Sequence, residues 1–270
     1  MLPLGATAKA VHARLEGTGK PLVLVHELGG SLDSFELIVP HLADSHQVLR
    51  YDQNGCGMSA PAKVSLGLAG EADLLLELIA DTFEGEPCRI VGVAAGAAIA
   101  ITAALARPDA IAALALCAPA LEVAVHRRTY LKERAARARA EGMTAIAEAS
   151  LLRSYPPALR RDEAAFARYL SRFLATDPAS YAAANLALGE AHLVERLPDV
   201  TQPCLFLAGR HDELRPPAEI ERLSRSVPGA RFAAVDSGHI MPMQAPAEMA
   251  EHLLAFFGSL PRPGREQAHA

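Results

Sequence analysis

Nothing in this 270-residue chain approaches the roughly 18 consecutive apolar residues of a membrane-spanning helix, so no membrane span is expected. Basic residues are in deficit. The 26 Lys and Arg stand against 31 Asp and Glu, a formal net charge of −5, and the basic footprint of a nucleic-acid binder is missing. The opening Met1-Leu2-Pro3-Leu4-Gly5 has neither the charged nor the apolar region of a secretory signal. Cysteine is scarce: the four residues at 56, 88, 117 and 204 show no CxxC or Cys/His spacing, which argues against a disulfide framework or a structural zinc. Three of them fall in strand-like segments, where a thiol packs as a small core residue, and a reduced cytoplasmic protein is the expectation. No glycine-rich dinucleotide turn and no metal-ligand cluster is present, so no cofactor and no metal are expected. No repeat of solenoid period occurs. What these absences leave is a globular chain, 51% hydrophobic.

One further absence is local. Cys88 to Val91 reads as a short buried strand and Ala95 to Leu105 as an alanine-rich helix, with Val91-Gly92-Val93-Ala94-Ala95-Gly96 at the junction. A Gly-x-Ser-x-Gly sequence at such a junction holds a serine on a strained turn with its hydroxyl raised above a sheet. Here the central residue is Ala94, which has no hydroxyl, thiol or carboxylate.

Strand-like and helix-like segments alternate, the pattern of a mostly parallel sheet covered by helices, an α/β fold. Strands are read at Val11–Leu15, Pro21–His26, Gln47–Tyr51, Ile111–Cys117, Cys204–Ala208 and Arg231–Val235. Pro21 to His26 is a continuous apolar run, as in a strand buried on both faces. Helices are read at Ser34–Leu42, across about 67–84, at Ala218–Val227 and at Pro246–Phe257. From 120 to 196 the strand signal disappears, and charged helical segments such as Arg127–Glu141 and Glu163–Leu174 take over. The expected organisation is therefore a core of residues 1–119 and 197–260, a helical cap inserted at 120–196, and a loose tail at 261–270.

In this order the segments resemble the α/β-hydrolase family. Four marks carry the resemblance: His26-Glu27-Leu28-Gly29-Gly30 after one strand, Asp52-Gln53-Asn54-Gly55-Cys56-Gly57-Met58-Ser59 after the next, the junction at Ala94, and Asp212 and His239 after two late strands. Ser154-Tyr155-Pro156-Pro157-Ala158-Leu159-Arg160 and Ser237-Gly238-His239 make it most similar to the branch of 3-oxoadipate enol-lactonases and related esterases. The resemblance implies that His239 is the proton-cycling histidine, that Asp212 orients it, and that the backbone N–H groups of Leu28 and Ala95 form an oxyanion hole. His26, which opens the first motif, and Met241 are expected to contact substrate; for Met58, Met241 and Met243, which sit beside motif residues, packing in the core is the alternative. Asp52 and Gly55 are expected to hold a turn beneath the site.

The chain departs from the family's pattern at three positions. Ala94 occupies the nucleophile position, and Glu27 stands where glycine usually follows the loop histidine; its carboxylate is a candidate general base, or else a solvent-facing loop residue. Asn54 also replaces a common arginine. Arginines 127, 128, 134, 137 and 139 with Lys132 form either a solvated helix face or contacts to a substrate carboxylate. Three functions fit. A naturally serine-less enzyme would use His239 and Asp212 for general acid–base chemistry, on a lactone, ester or ring compound, by hydrolysis or by a non-hydrolytic lyase or oxygenase step. An ordinary serine hydrolase would have had its serine changed to Ala94 as a substrate trap. A ligand-binding protein would have lost catalysis. Retained Asp212 and His239 argue against the last, and Glu27 against the trap.

Overall fold

The computed structural model describes residues 11–61 and 66–260; the expected tail at 261–270 lies outside the described residues. Seven strands form one sheet: β1 (Ala13–Glu16), β2 (Lys20–Val25), β3 (His46–Tyr51), β4 (Cys88–Val93), β5 (Ile111–Cys117), β6 (Cys204–Gly209) and β7 (Arg231–Val235). Their order is β1-β3-β2-β4-β5-β6-β7, and every pairing is parallel except that of β1 with β3. The apolar runs in β2, β4 and β6 are buried on both faces, as expected of strands sandwiched between helices.

Among the described residues the helices are α1 (Val39–Leu42), α2 (Gly67–Phe83), α3 (Ala95–Ala106), α4 (Val125–Glu141), α5 (Thr144–Ser154), α6 (Glu163–Ala175), α7 (Pro178–Gly189), α8 (Pro217–Ser224), α9 (Met241–Gln244) and α10 (Pro246–Gly258). The helix expected at Ser34–Leu42 is instead a 3-10 turn, Leu32–Phe35, followed by α1. Pro40 has no N–H to give and its ring blocks a helix running through from Ser34. Helices α4 to α7 all lie between β5 and β6, and their apolar residues form a cluster of their own with Ile240 and Met243.

The topology itself locates a crevice. The chain passes from β2 outward to β3, then crosses back to place β4 on the other side of β2, so the loops leaving β2 and β4 diverge. Ligands of open α/β sheets bind outside the carboxyl ends of strands at such a switch point. Leu28 follows β2, and Ala94 follows β4, the central strand.

The turn after β4 is strained. Ala94 has φ 50° and ψ −108°, a combination that an L-residue rarely adopts. Two glycines make the turn feasible by close approach. A Cβ on Gly96 would lie 2.2 Å from the carbonyl oxygen of Val25, and one on Gly92 would lie 2.6 Å from the Ala97 Cα. Helix α3, with small alanines at most of its positions and buried from Ala95 to Ile101, thus sits tight against β2 and β4. Substitutions two residues apart should therefore have opposite signs. Ala94→Gly should raise unfolding stability by about 1 kcal/mol through relief of backbone strain. Gly96→Ala should lower it by about 3 kcal/mol through overpacking against Val25. Chemical denaturation of the two variants checks both; a loss of stability in Ala94→Gly would show that the turn is not strained.

Candidate active site

Ala95 is the first residue of α3, so its N–H has no acceptor within the helix. Leu28 lies in the turn after β2 that is closed by the Gly30 N–H donating to the Glu27 carbonyl at 3.0 Å. Neither the Leu28 nor the Ala95 N–H donates to any other described residue. Both residues, with Ala94, line a cavity of about 470 Å³. The amino end of α3 adds its partial positive charge there.

His239 lines the same cavity. Its Nδ1 lies 2.8 Å from Oδ2 of buried Asp212. The carboxylate is itself fixed, since its Oδ1 accepts from the N–H groups of Leu214 at 2.8 Å and Arg215 at 3.0 Å. One side chain therefore caps a turn and orients a histidine at once. Because Asp212 accepts, Nδ1 donates, and Nε2 is left as the imidazole's acceptor. Gln244 is a contributor that the sequence reading missed. Its Oε1 accepts from Gly238 N–H and Ile240 N–H, both at 3.0 Å, and so clamps the loop on either side of His239. Gly209 lets the two loops meet, for a Cβ there would lie 2.2 Å from the Gly238 carbonyl oxygen. His211 stays outside the site, paired with Asp236 at 2.7 Å on the surface.

Glu27 is 2% exposed and lines the cavity, which overturns the solvent-facing alternative. Its Oε1 accepts from Ser34 Oγ and from the Tyr169 hydroxyl, each at 2.8 Å. Its Oε2 is buried and without a partner. A Cβ on Gly30 would lie 2.2 Å from Oε1, so the neighbouring glycine makes room for the carboxylate. Burial, and then Glu27 beside it, push the Tyr169 phenol well above its ordinary pKa and keep it a donor.

Two expected contacts with substrate need correction. His26 is fully buried and lines neither this cavity nor the one beside it. Its Nδ1 donates to the Glu27 carbonyl at 2.8 Å and its Nε2 accepts from Gln53 N–H at 3.1 Å, so both nitrogens brace the loop. Met241 is equally buried, packed in the core cluster with Val93 and Ala94 instead of on the cavity wall. Met58 is exposed, and Met243 is core. Asp52 does hold a turn: it accepts from Leu32 N–H at 2.7 Å and Met58 N–H at 2.9 Å, and meets His12 Nδ1 at 2.8 Å.

The adjoining cavity, about 390 Å³, shares Leu28, Ala95, Tyr181 and Leu188 with the first. It accounts for Asn54, whose Nδ2 donates to Glu71 Oε1 at 2.9 Å. Burial raises the Glu71 pKa, opposed by that hydrogen bond. All four cysteines are free and buried; burial pushes the Cys204 thiol up to about 12. Among the described residues no three His, Cys, Asp or Glu side chains gather as a metal site would require. No helix among them is long and apolar enough to cross a membrane.

Comparison with known proteins agrees with this geometry. The family described as serine aminopeptidase, S33, matches residues 19–236. Proteins named carbamate hydrolase RutD are similar: that of Azorhizobium caulinodans is 27% identical over 93% of this chain and 96% of its own. That of Stutzerimonas stutzeri is 30% identical over 84% of this chain and 87% of its own. Among solved structures, the enol-lactonase of Burkholderia xenovorans LB400 superposes with a TM-score of 0.86 at 28% identity, covering 92% of this chain and 96% of that one. A thermophilic esterase from Thermogutta terrifontis, solved with malate bound, also gives 0.86, at 26% identity over 92% and 93%. With a mostly parallel sheet, a strained turn after its central strand and late acid and histidine loops, the chain is an enzyme of the α/β-hydrolase family.

Proposed function

We propose that this enzyme hydrolyses a small, carboxylate-bearing lactone, ester or ring compound without cofactor, by His239/Asp212 general acid–base chemistry, with Ala94 standing where the family's serine nucleophile would act. The observation that carries the reading is one cavity wall. It holds an oriented imidazole, two unpaired backbone N–H groups and, between them in the chain's architecture, a side chain that cannot attack. Relatives named carbamate hydrolase, enol-lactonase and esterase support hydrolysis of a small substrate. The helices of residues 120–196 act as the cap that encloses it.

The step balances without a covalent intermediate. Water gives a proton to Nε2 of His239 as its oxygen bonds to the acyl carbon, and the carbonyl electron pair moves onto oxygen. The Leu28 and Ala95 N–H groups donate to that oxyanion, at typically ~3–4 kcal/mol for each donor. Collapse restores the carbonyl and breaks the acyl C–O bond, and the imidazolium returns its proton to the leaving oxygen. Asp212 holds the tautomer and steadies the imidazolium. Glu27, braced by Ser34 and Tyr169 and lining the cavity, is assigned as a second base for the attacking water. The accommodation of Glu27 by Gly30, Ser34 and Tyr169 together supports a site built around this carboxylate.

Magnitudes narrow the substrate. Oxyanion donors and binding alone leave roughly 10³–10⁴-fold catalysis over water when a triad member is missing. A positioned base adds roughly 10²–10⁴-fold. That combination favours a labile acyl group, such as a strained lactone or activated ester, over a peptide amide.

Turnover of p-nitrophenyl hydrogen succinate, a labile ester with a free carboxylate, provides the assay. His239→Ala should lower kcat/KM on the order of 10²–10⁴-fold while circular dichroism and the melting temperature stay close to those of the parent. Full activity in a folded His239→Ala protein would place the chemistry elsewhere. A fluorophosphonate probe should leave the parent unlabelled and label Ala94→Ser, since the base and oxyanion donors would then serve a hydroxyl. A gain of several powers of ten in turnover by Ala94→Ser, the scale of a restored nucleophile, would overturn direct water attack.

Glu27→Gln separates base from scaffold. It keeps an oxygen for Tyr169 and Ser34 but loses the charge, and should lower kcat on the order of 10²-fold with KM little changed. Unchanged kcat would reduce Glu27 to a structural brace.

A further inference from the structure

We infer that Arg127, Arg134 and Arg153 form a binding subsite for the substrate's carboxylate on the outer wall of the His239 cavity, a refinement that rests on the hydrolytic reading for its position. All three line that cavity, two from α4 and one from α5. They gather on one cavity wall as cations without an ion pair, and Arg222 of α8 lines the same cavity, also without one among the described residues. Other arginines of this protein sit against carboxylates: Arg161 with Asp236 at 2.6 Å, Arg168 with Glu36 at 2.6 Å and Arg172 with Asp33 at 2.9 Å are examples. Arg215, on the same cavity, is taken by Glu219 at 3.1 Å. Arg127, Arg134 and Arg153 have no carboxylate partner among the described residues.

Neutral groups hold them in place. Arg134 donates to the Asn185 side-chain oxygen and stacks over the rings of Tyr130 at 5.5 Å and Tyr181 at 5.8 Å. Its Nε is buried and unpartnered. Arg153 also lies over the Tyr130 ring, at 5.9 Å. Arg127 touches only a carbonyl, that of Leu214, at 3.4 Å. An aromatic face and an amide oxygen fix a guanidinium without cancelling its charge. The cations remain available, and they repel each other: burial, then Arg153 and Arg215, lower the Arg127 pKa. Five arginines line the cavity against the carboxylates of Glu27, Glu122 and Glu219, so the wall carries excess positive charge. A planar carboxylate, which a guanidinium fork matches with two parallel hydrogen bonds, relieves the repulsion that Glu219 offsets only in part at Arg127.

The subsite is tested by binding as well as turnover, so that it stands or falls separately from hydrolysis. Calorimetric titration of succinate, glutarate, adipate and inorganic phosphate is run on the parent, on His239→Ala, on the double variant Arg127→Gln/Arg153→Gln, and on Arg137→Gln. Arg137 shares helix α4 but pairs with Glu141 outside the cavity, and controls for a general loss of positive charge. At least one dicarboxylate should bind the parent and His239→Ala alike, bind Arg137→Gln within about twofold, and lose about 10- to 100-fold in affinity for the double variant. The same double variant should raise KM for p-nitrophenyl hydrogen succinate far more than for p-nitrophenyl ethyl succinate. Equal dicarboxylate affinity in parent and double variant, or no dicarboxylate binding to the parent, would overturn the subsite. Phosphate binding tighter than every dicarboxylate would overturn its assignment to a carboxylate. Arginine-dependent dicarboxylate binding in a protein that hydrolyses no ester would uphold the subsite and remove the hydrolytic reading alone.

Discussion

The approach of Gly96 to the Val25 carbonyl is the contact on which the site is built. It brings the first turn of α3 against the end of β2, and a single methyl group at 96 would collide with that strand's backbone at 2.2 Å. From this contact follow the strained conformation of Ala94, the exposure of the Ala95 N–H at a helix start, and its placement beside the Leu28 turn. Backbone strain of this kind costs of order 1–3 kcal/mol and persists only where the surroundings over-determine it. The fold has kept that cost in a turn whose side chain is a bare methyl group. In the proposed mechanism this geometry serves the two amides and the water they face.

On the proposed reading, chemistry and recognition divide between two parts of the chain. Loops after β2, β4, β6 and β7 supply donors and an oriented base, all fixed by backbone hydrogen bonds or by Gln244. Helices α4 and α5 supply cations held by aromatic rings. The first set depends on sheet register and tolerates little movement. The second rides on a helical layer with its own apolar cluster and meets the cavity from above. Such a division lets the substrate's charged end be chosen by α4 and α5 without disturbing the turn at Ala94.

The legible parts of this arrangement were those written in local pattern. The apolar runs of β2, β4 and β6 announced buried strands, and Asp212 and His239, which the family resemblance singled out after two late strands, do meet. Long-range contacts escaped. Whether Glu27 faced water or the cavity depended on Tyr169, which is 142 residues away. His26 looked like a contact residue because it adjoins the motif, yet both its nitrogens are consumed by Glu27 and Gln53. Met241, at the start of α9, took the core alternative: it is buried in one apolar cluster with Val93 and Ala94. Gln244 carried no motif at all, since a side-chain clamp on a loop has no periodicity to read.

The central claim is catalysis with no covalent intermediate at the turn after β4. Rapid-quench kinetics with intact-protein mass measurement, using p-nitrophenyl hydrogen succinate in excess over enzyme, addresses it directly. The account predicts p-nitrophenolate release that is linear from the first turnover, with the protein mass unchanged at every quench time. A burst of phenolate equal to the enzyme concentration, accompanied by a protein carrying the acyl group, would contradict it.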